Sequence, residues 1–197
     1  MRLKFLQLIQ KDLEKIETSK RAYKIHFLNQ SYIFHLVAMW QVFIEEQVTW
    51  GLEEMMRLSP VGVFEPLLRS RIGRVLDRFN TPNRKNIDTV FYEVMGIRRI
   101  SDAWSWENMR LDTAKGRLTR ILNKRHDIAH QSKTMDSLSY EENFEDMKHI
   151  FNLAYLIDYE VRKHLAALSG DAFNEPIILP FPQIIRDQRN AGTRGFG

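Results

Sequence analysis

Apolar residues recur every three or four positions along most of this chain, the spacing of helices that bury one face. Leu3, Leu6, Ile9, Leu13 and Ile16 form the first such stripe. A second helix is predicted from near Arg21 to about Arg57. Its centre, Tyr32 to Trp40, is apolar nearly all round, as expected of a helix at the middle of a bundle. Ser59-Pro60 and Gly62 break it. Leu67 to Phe79 reads as a short helix, and Asn80-Thr81-Pro82-Asn83 as a turn opening another over Arg84 to Met95, with Gly96 as its C-cap. Ser101-Asp102 starts a short segment containing Trp104 and Trp106. Asp112 or Thr113 opens a helix carrying Leu118, Ile121, Leu122, Ile128 and Ala129. Ser139-Tyr140-Glu141-Glu142 has the form of a capping box. It starts the last long helix, to about Leu168, apolar at Phe144, Met147, Phe151, Leu153, Ala154 and Ile157.

After Ser169-Gly170 the periodicity stops, and Pro176, Pro180, Pro182, Gly192, Gly195 and Gly197 mark an extended or disordered tail. The expected organisation is an all-α helical domain over residues 1–168, a bundle, and an irregular C-terminal tail over 169–197.

The bulk numbers narrow the function classes. The 197 residues are 44% hydrophobic, enough for a proper core, and contain no cysteine, which excludes disulfides, thiolate metal sites and a cysteine nucleophile. The most apolar stretch, Tyr32 to Ile44, is interrupted by His35 and Gln41 and is too short to span a bilayer. The N-terminus has no signal-peptide core. A cytoplasmic protein without a membrane partner is expected. The net charge of +4 is unevenly spread: residues 66–125 carry 14 Lys/Arg against 6 Asp/Glu, residues 126–197 only 7 against 11. A basic middle third attracts a polyanion such as RNA, or is simply a solvated set of helix faces.

One helix departs from its own pattern. At about 100° per residue from Leu118, the residues Leu118, Ile121, Leu122, Ile128 and Ala129 form one apolar stripe, and Arg125 falls near its middle. A guanidinium cannot shed its proton and is costly to bury unpaired. His126 and His130 project from one flank, four residues apart, and Asp127 falls opposite Leu118, toward solvent. Arg125 and His130 are about 140° apart, so only the long arginine arm lets them share a cleft.

Three readings stand at this point. In the first, Arg125 makes a buried ion pair, with Glu46 as partner from the stripe Tyr32, His35, Met39, Phe43 and Trp50, and the histidines are incidental. In the second, the group cleaves RNA without metal or other cofactor. That chemistry needs a base for the 2′-hydroxyl, an acid for the leaving 5′-oxygen and a cation for the phosphorane, and imidazole and guanidinium suit these tasks. In the third, His126-Asp127-x-x-His130 holds a catalytic metal, with His149, His164 or a carboxylate as third ligand. His26, His35, His149 and His164 otherwise read as structural histidines, and Trp104 and Trp106 as packing residues rather than base-stacking ones.

Arg125-x-x-x-x-His130, late in an all-α chain and followed by a long helix, resembles the R-x4–6-H motif of the HEPN superfamily, in particular the RiboL-PSP-HEPN type. Trp40-Gln41-Val42-Phe43-Ile44-Glu45-Glu46 is similar to that group's aromatic–acid–Phe signature. Asn80-Thr81-Pro82 through Asn86-Ile87, then Val90-Phe91, Gly96-Ile97, Ile100 and Trp104, is similar to its segment before the motif helix, and the likeness covers residues 20–165.

The resemblance implies a bundle that forms a homodimer, placing two motifs in one composite site. It implies a metal-independent endoribonuclease of a toxin–antitoxin or other defence system, with RNA as substrate and an antitoxin or regulatory protein as possible partner. His130 is then the acid–base residue, Arg125 stabilises the phosphate, and His126 occupies the polar position after the arginine. Some members are instead non-catalytic modules that bind RNA, nucleotide or a protein, but these often lose the Arg or His, and both are present here. Three positions depart from the pattern. His126 stands where Asn is commonest, Gln131 where Gly is frequent, and Gln41 where an acid is usual, so that any acidic role passes to Glu45 or Glu46.

Overall fold

The computed structural model describes residues 21–58, 62–131 and 138–171. The predicted first helix and all of the predicted tail beyond residue 171 lie outside them. The described chain is all-α. Five helices follow one another: α1 (Arg21–Leu58), α2 (Glu65–Asp77), α3 (Arg84–Met95), α4 (Leu111–Gln131) and α5 (Tyr140–Ser169), with 3-10 turns at Gly62–Phe64 and Ile100–Ala103. Among the described residues there is no strand, only an isolated bridge between Trp106 and Met109. No helix among them is long and apolar enough to cross a membrane.

The helix ends sit where short-range chemistry puts them. Asn83 caps α3 by accepting a hydrogen bond from the Asn86 backbone N–H, and Gly96 closes it at φ 75°, a left-handed conformation that costs glycine least. Ser139 caps α5 by accepting from the Glu142 N–H, and Gly170 ends it in the left-handed region. The Glu142 carboxylate turns away from its own cap to accept from Lys124 of α4, 2.8 Å away.

α1 is the central helix. It packs most extensively on α5 and also touches α2, α3 and α4. Tyr32, Ile33, Leu36, Trp40, Ile44 and Val48 are buried along it, and Trp40 meets Trp104 edge-on at 6.4 Å. Burying each such side chain contributes about 1.5–3 kcal/mol. The Trp40 indole N–H donates to the Pro82 carbonyl at 3.0 Å, which fastens the turn before α3. Gly51 lies under the Met95 side chain, in space a Cβ would fill. The expectation that the centre of α1 is buried all round does not hold. Ala38 is exposed, as are Met39 at 47% and Val42 at 49%, because no described helix covers that face.

Candidate active site

α4 lies on α1 and α5, and its inward face carries Ala114, Leu118, Ile121, Lys124 and Ile128. The inward face is thus turned toward Ile121 and Ile128 relative to the stripe expected from sequence. The turn brings Lys124 into the core and leaves Arg125 and Ala129 exposed and Leu122 half-buried. Asp127, expected in solvent, is half-buried.

The cation in the core is therefore Lys124, one residue before the expected one. Its ammonium lies 2.8 Å from Glu142 and 3.1 Å from Asp146 of α5. Asp146 also takes both Nε and Nη2 of Arg117, at 3.0 and 2.9 Å. A buried ammonium is tolerated only with this kind of pairing. Sequence reasoning missed Lys124 because its acceptors are 18 and 22 residues away on another helix. The available signal was Asp146, a carboxylate interrupting the stripe Ile150, Leu153, Ile157.

Arg125 makes no ion pair among the described residues. Its guanidinium carbon lies 5.7 Å from the centroid of the Phe34 ring of α1, a cation–π contact. The expected pairing with Glu46 is absent, and Glu46 is exposed on α1. Glu45 is half-buried and accepts from Gln41 at 2.9 Å, so neither acid is joined to the motif. Gln41 also donates to the Phe79 carbonyl at 3.2 Å, which ties α1 to the end of α2.

His126 and His130 are both exposed, with ring centroids 4.4 Å apart and planes tilted by 49°. One helical turn thus presents two imidazoles side by side, and the preceding residue presents a guanidinium resting on an aromatic ring. Among the described residues no group of three His, Asp or Glu side chains stands at metal-binding separation, so neither His149 nor His164 joins the pair.

Two of the other histidines act within the fold. His35 donates from Nδ1 to the Ser31 carbonyl at 2.8 Å. His149 is buried, hydrogen-bonded through Nε2 to the Ala114 carbonyl at 3.0 Å and packed on Trp106. Burial lowers its pKa from 6.5 to about 4, against the opposing effect of the Ala114 bond, and Arg117 lowers it further. The imidazole is therefore neutral and Nε2 is the donor. Trp104 is fully buried in the core, as expected of a packing residue.

Comparison of the chain with protein-family models, with curated proteins and with solved structures gave no match.

Proposed function

We propose that this chain is a metal-independent endoribonuclease of the HEPN type, with Arg125 and His130 as its reacting pair. One observation carries the reading: Arg125, His126 and His130 are all exposed near the end of α4, the two imidazoles side by side, and the guanidinium rests on Phe34 instead of a carboxylate. A guanidinium with no ion pair among the described residues is available to a phosphate, and an imidazole is a side chain that can both take and give a proton. In the reaction the 2′-oxygen attacks the neighbouring phosphorus while its proton passes to a base. The P–O5′ bond then breaks as the 5′-oxygen takes a proton from an acid. His130 is assigned the acid–base role and Arg125 the non-bridging oxygens, with His126 orienting the phosphate.

One motif supplies only part of this machinery, so a second copy completes the site. The exposed face of α1, with Phe27, Ala38, Met39 and Val42 beside the Arg125–Phe34 contact, gives that copy an apolar surface to pack on. An antitoxin or other regulatory protein and a cytoplasmic setting belong to the same reading.

The test is to incubate purified protein with mixed RNA, with and without EDTA, beside His130→Ala. Cleavage that survives EDTA and is absent in the variant is expected. RNA that is bound but never cut would assign the chain to the non-catalytic modules, and cleavage abolished by EDTA would contradict the metal-independent reading.

A further inference from the structure

Seven of the 14 Lys/Arg in residues 66–125 line two clefts that the motif does not touch. The first, about 350 Å³, opens between α2 and α3. Arg71 and Arg74 line it from α2 and Arg78 from that helix's C-cap, with half-buried Val75 and buried Phe79 and Val90 as its apolar lining. The second, about 440 Å³, lies on the other flank of α3, where Arg84, Lys85, Arg98 and Arg99 line it together with Tyr92. Thr89 and Glu93 line both, so the two clefts adjoin across α3.

These cations have few internal partners. The arginines held in ion pairs among the described residues are Arg57, Arg69, Arg99, Arg117 and Arg162, and of these only Arg99 belongs to a cleft. Asp88 lines the second cleft, but both its oxygens accept from Ser101, one from the backbone N–H and one from the hydroxyl. Glu93 remains as the facing carboxylate. A strip of exposed cations over a half-open cleft and a shallower hollow beside it is poorly neutralised among the described residues.

We infer that the two clefts flanking α3 form a docking track for single-stranded nucleic acid, separate from Arg125 and His130. A lone phosphate is satisfied by two or three donors, whereas cations spread over adjoining clefts match a chain of phosphates. Concavity favours a single strand, since a duplex buries its bases and a single strand can turn them inward. Phe79 and Val90 are buried beneath the first cleft and Val75 is half-buried, so base stacking falls to Tyr92, which is exposed and already stacked under the Arg98 guanidinium at 5.7 Å. Glu93 is placed to accept from a base amino group or a sugar hydroxyl. This track holds whether or not the motif cuts.

The test is fluorescence anisotropy of labelled rU12 and dT12 oligonucleotides with the full chain carrying His130→Ala, over a salt series. Arg74→Ala with Arg78→Ala in one cleft, and Arg84→Ala with Arg98→Ala in the other, should each weaken binding about tenfold or more. Each pair should also reduce the slope of log affinity against log salt by about 1.4, for two lost phosphate contacts. Arg57→Ala with Arg162→Ala, exposed arginines elsewhere, should leave both unchanged. A stronger effect on rU12 than on dT12 would identify RNA as the natural strand, and equal effects single strands generally; both support the track. Equal weakening by the control pair, complete displacement of the oligonucleotide by millimolar ADP or inorganic phosphate, or binding of polyglutamate in place of the oligonucleotides would overturn it. Since cleavage is scored separately in the wild-type chain, loss of the track and loss of the ribonuclease reading are distinguishable.

Discussion

The Lys124 ammonium lies 3.1 Å from the Asp146 carboxylate, with both side chains buried, immediately before the exposed Arg125. The pair fixes the rotation of α4 against α5, and so decides which side of the helix its next residues present. Inward Lys124 and outward Arg125 are two consequences of one packing choice.

Removing one partner of this network leaves charge without compensation in the core. Asp146→Ala strands Arg117 and leaves the buried Lys124 with Glu142 alone, and should lower the unfolding free energy by about 3–5 kcal/mol, read from urea denaturation. Replacing the pair together, Lys124→Met with Asp146→Leu, should recover part of that loss. An Asp146→Ala chain within about 0.5 kcal/mol of wild type would show that the pair does not hold the two helices.

His149 gives the fold a pH dependence of known sign. The folded chain keeps this imidazole neutral, with its pKa lowered to about 4, where the unfolded chain protonates it near 6.5. Between those values the unfolded state binds more protons, so the contribution is complete above pH 6.5 and is lost as pH falls toward 4. His149→Phe should therefore lose less melting temperature than wild type between pH 7.5 and 5. Parallel melting curves for the two chains over that interval would contradict the assignment.

Much of the helix layout is legible in the sequence because its punctuation is local. Asn83, Gly96, Ser139 and Gly170 act within a few residues of themselves, and the bounds of α3 and α5 follow from them. What the sequence leaves open depends on contacts between distant segments. Periodicity alone puts Arg125 in the apolar stripe, and only Glu142 and Asp146 on α5 show that Lys124 takes that place. The histidine pair is legible, since four-residue spacing on a helix forces the rings together. The basic excess of residues 66–125 is also legible, but the clefts it lines arise from how α2 and α3 pack.

The exposed face of α1 carries the second copy in the proposed enzyme. Met39→Glu with Val42→Glu should shift the gel-filtration mass to a single chain at micromolar concentration and reduce RNA cleavage at least 100-fold. Stability should change by no more than about 0.5 kcal/mol, as both positions are exposed. A chain that stays dimeric and active would place the interface elsewhere.

His126 is expected to weigh less than Arg125. His126→Asn keeps a polar group after the arginine and should retain cleavage within about tenfold, whereas Arg125→Lys loses the planar fork and should cost about 10²–10³ in rate. Single-turnover rates on one defined RNA check both. Equal loss in the two variants would make His126 a full member of the reacting pair.

The central claim, that Arg125 and His130 cut RNA by internal attack of the 2′-hydroxyl, is tested most directly by the ends of the products made in EDTA. The account predicts 2′,3′-cyclic phosphate and 5′-hydroxyl ends from the wild-type chain, and no cleavage by Arg125→Ala or His130→Ala. Products with 5′-phosphate and 3′-hydroxyl ends, or equal cleavage by all three chains, would contradict it.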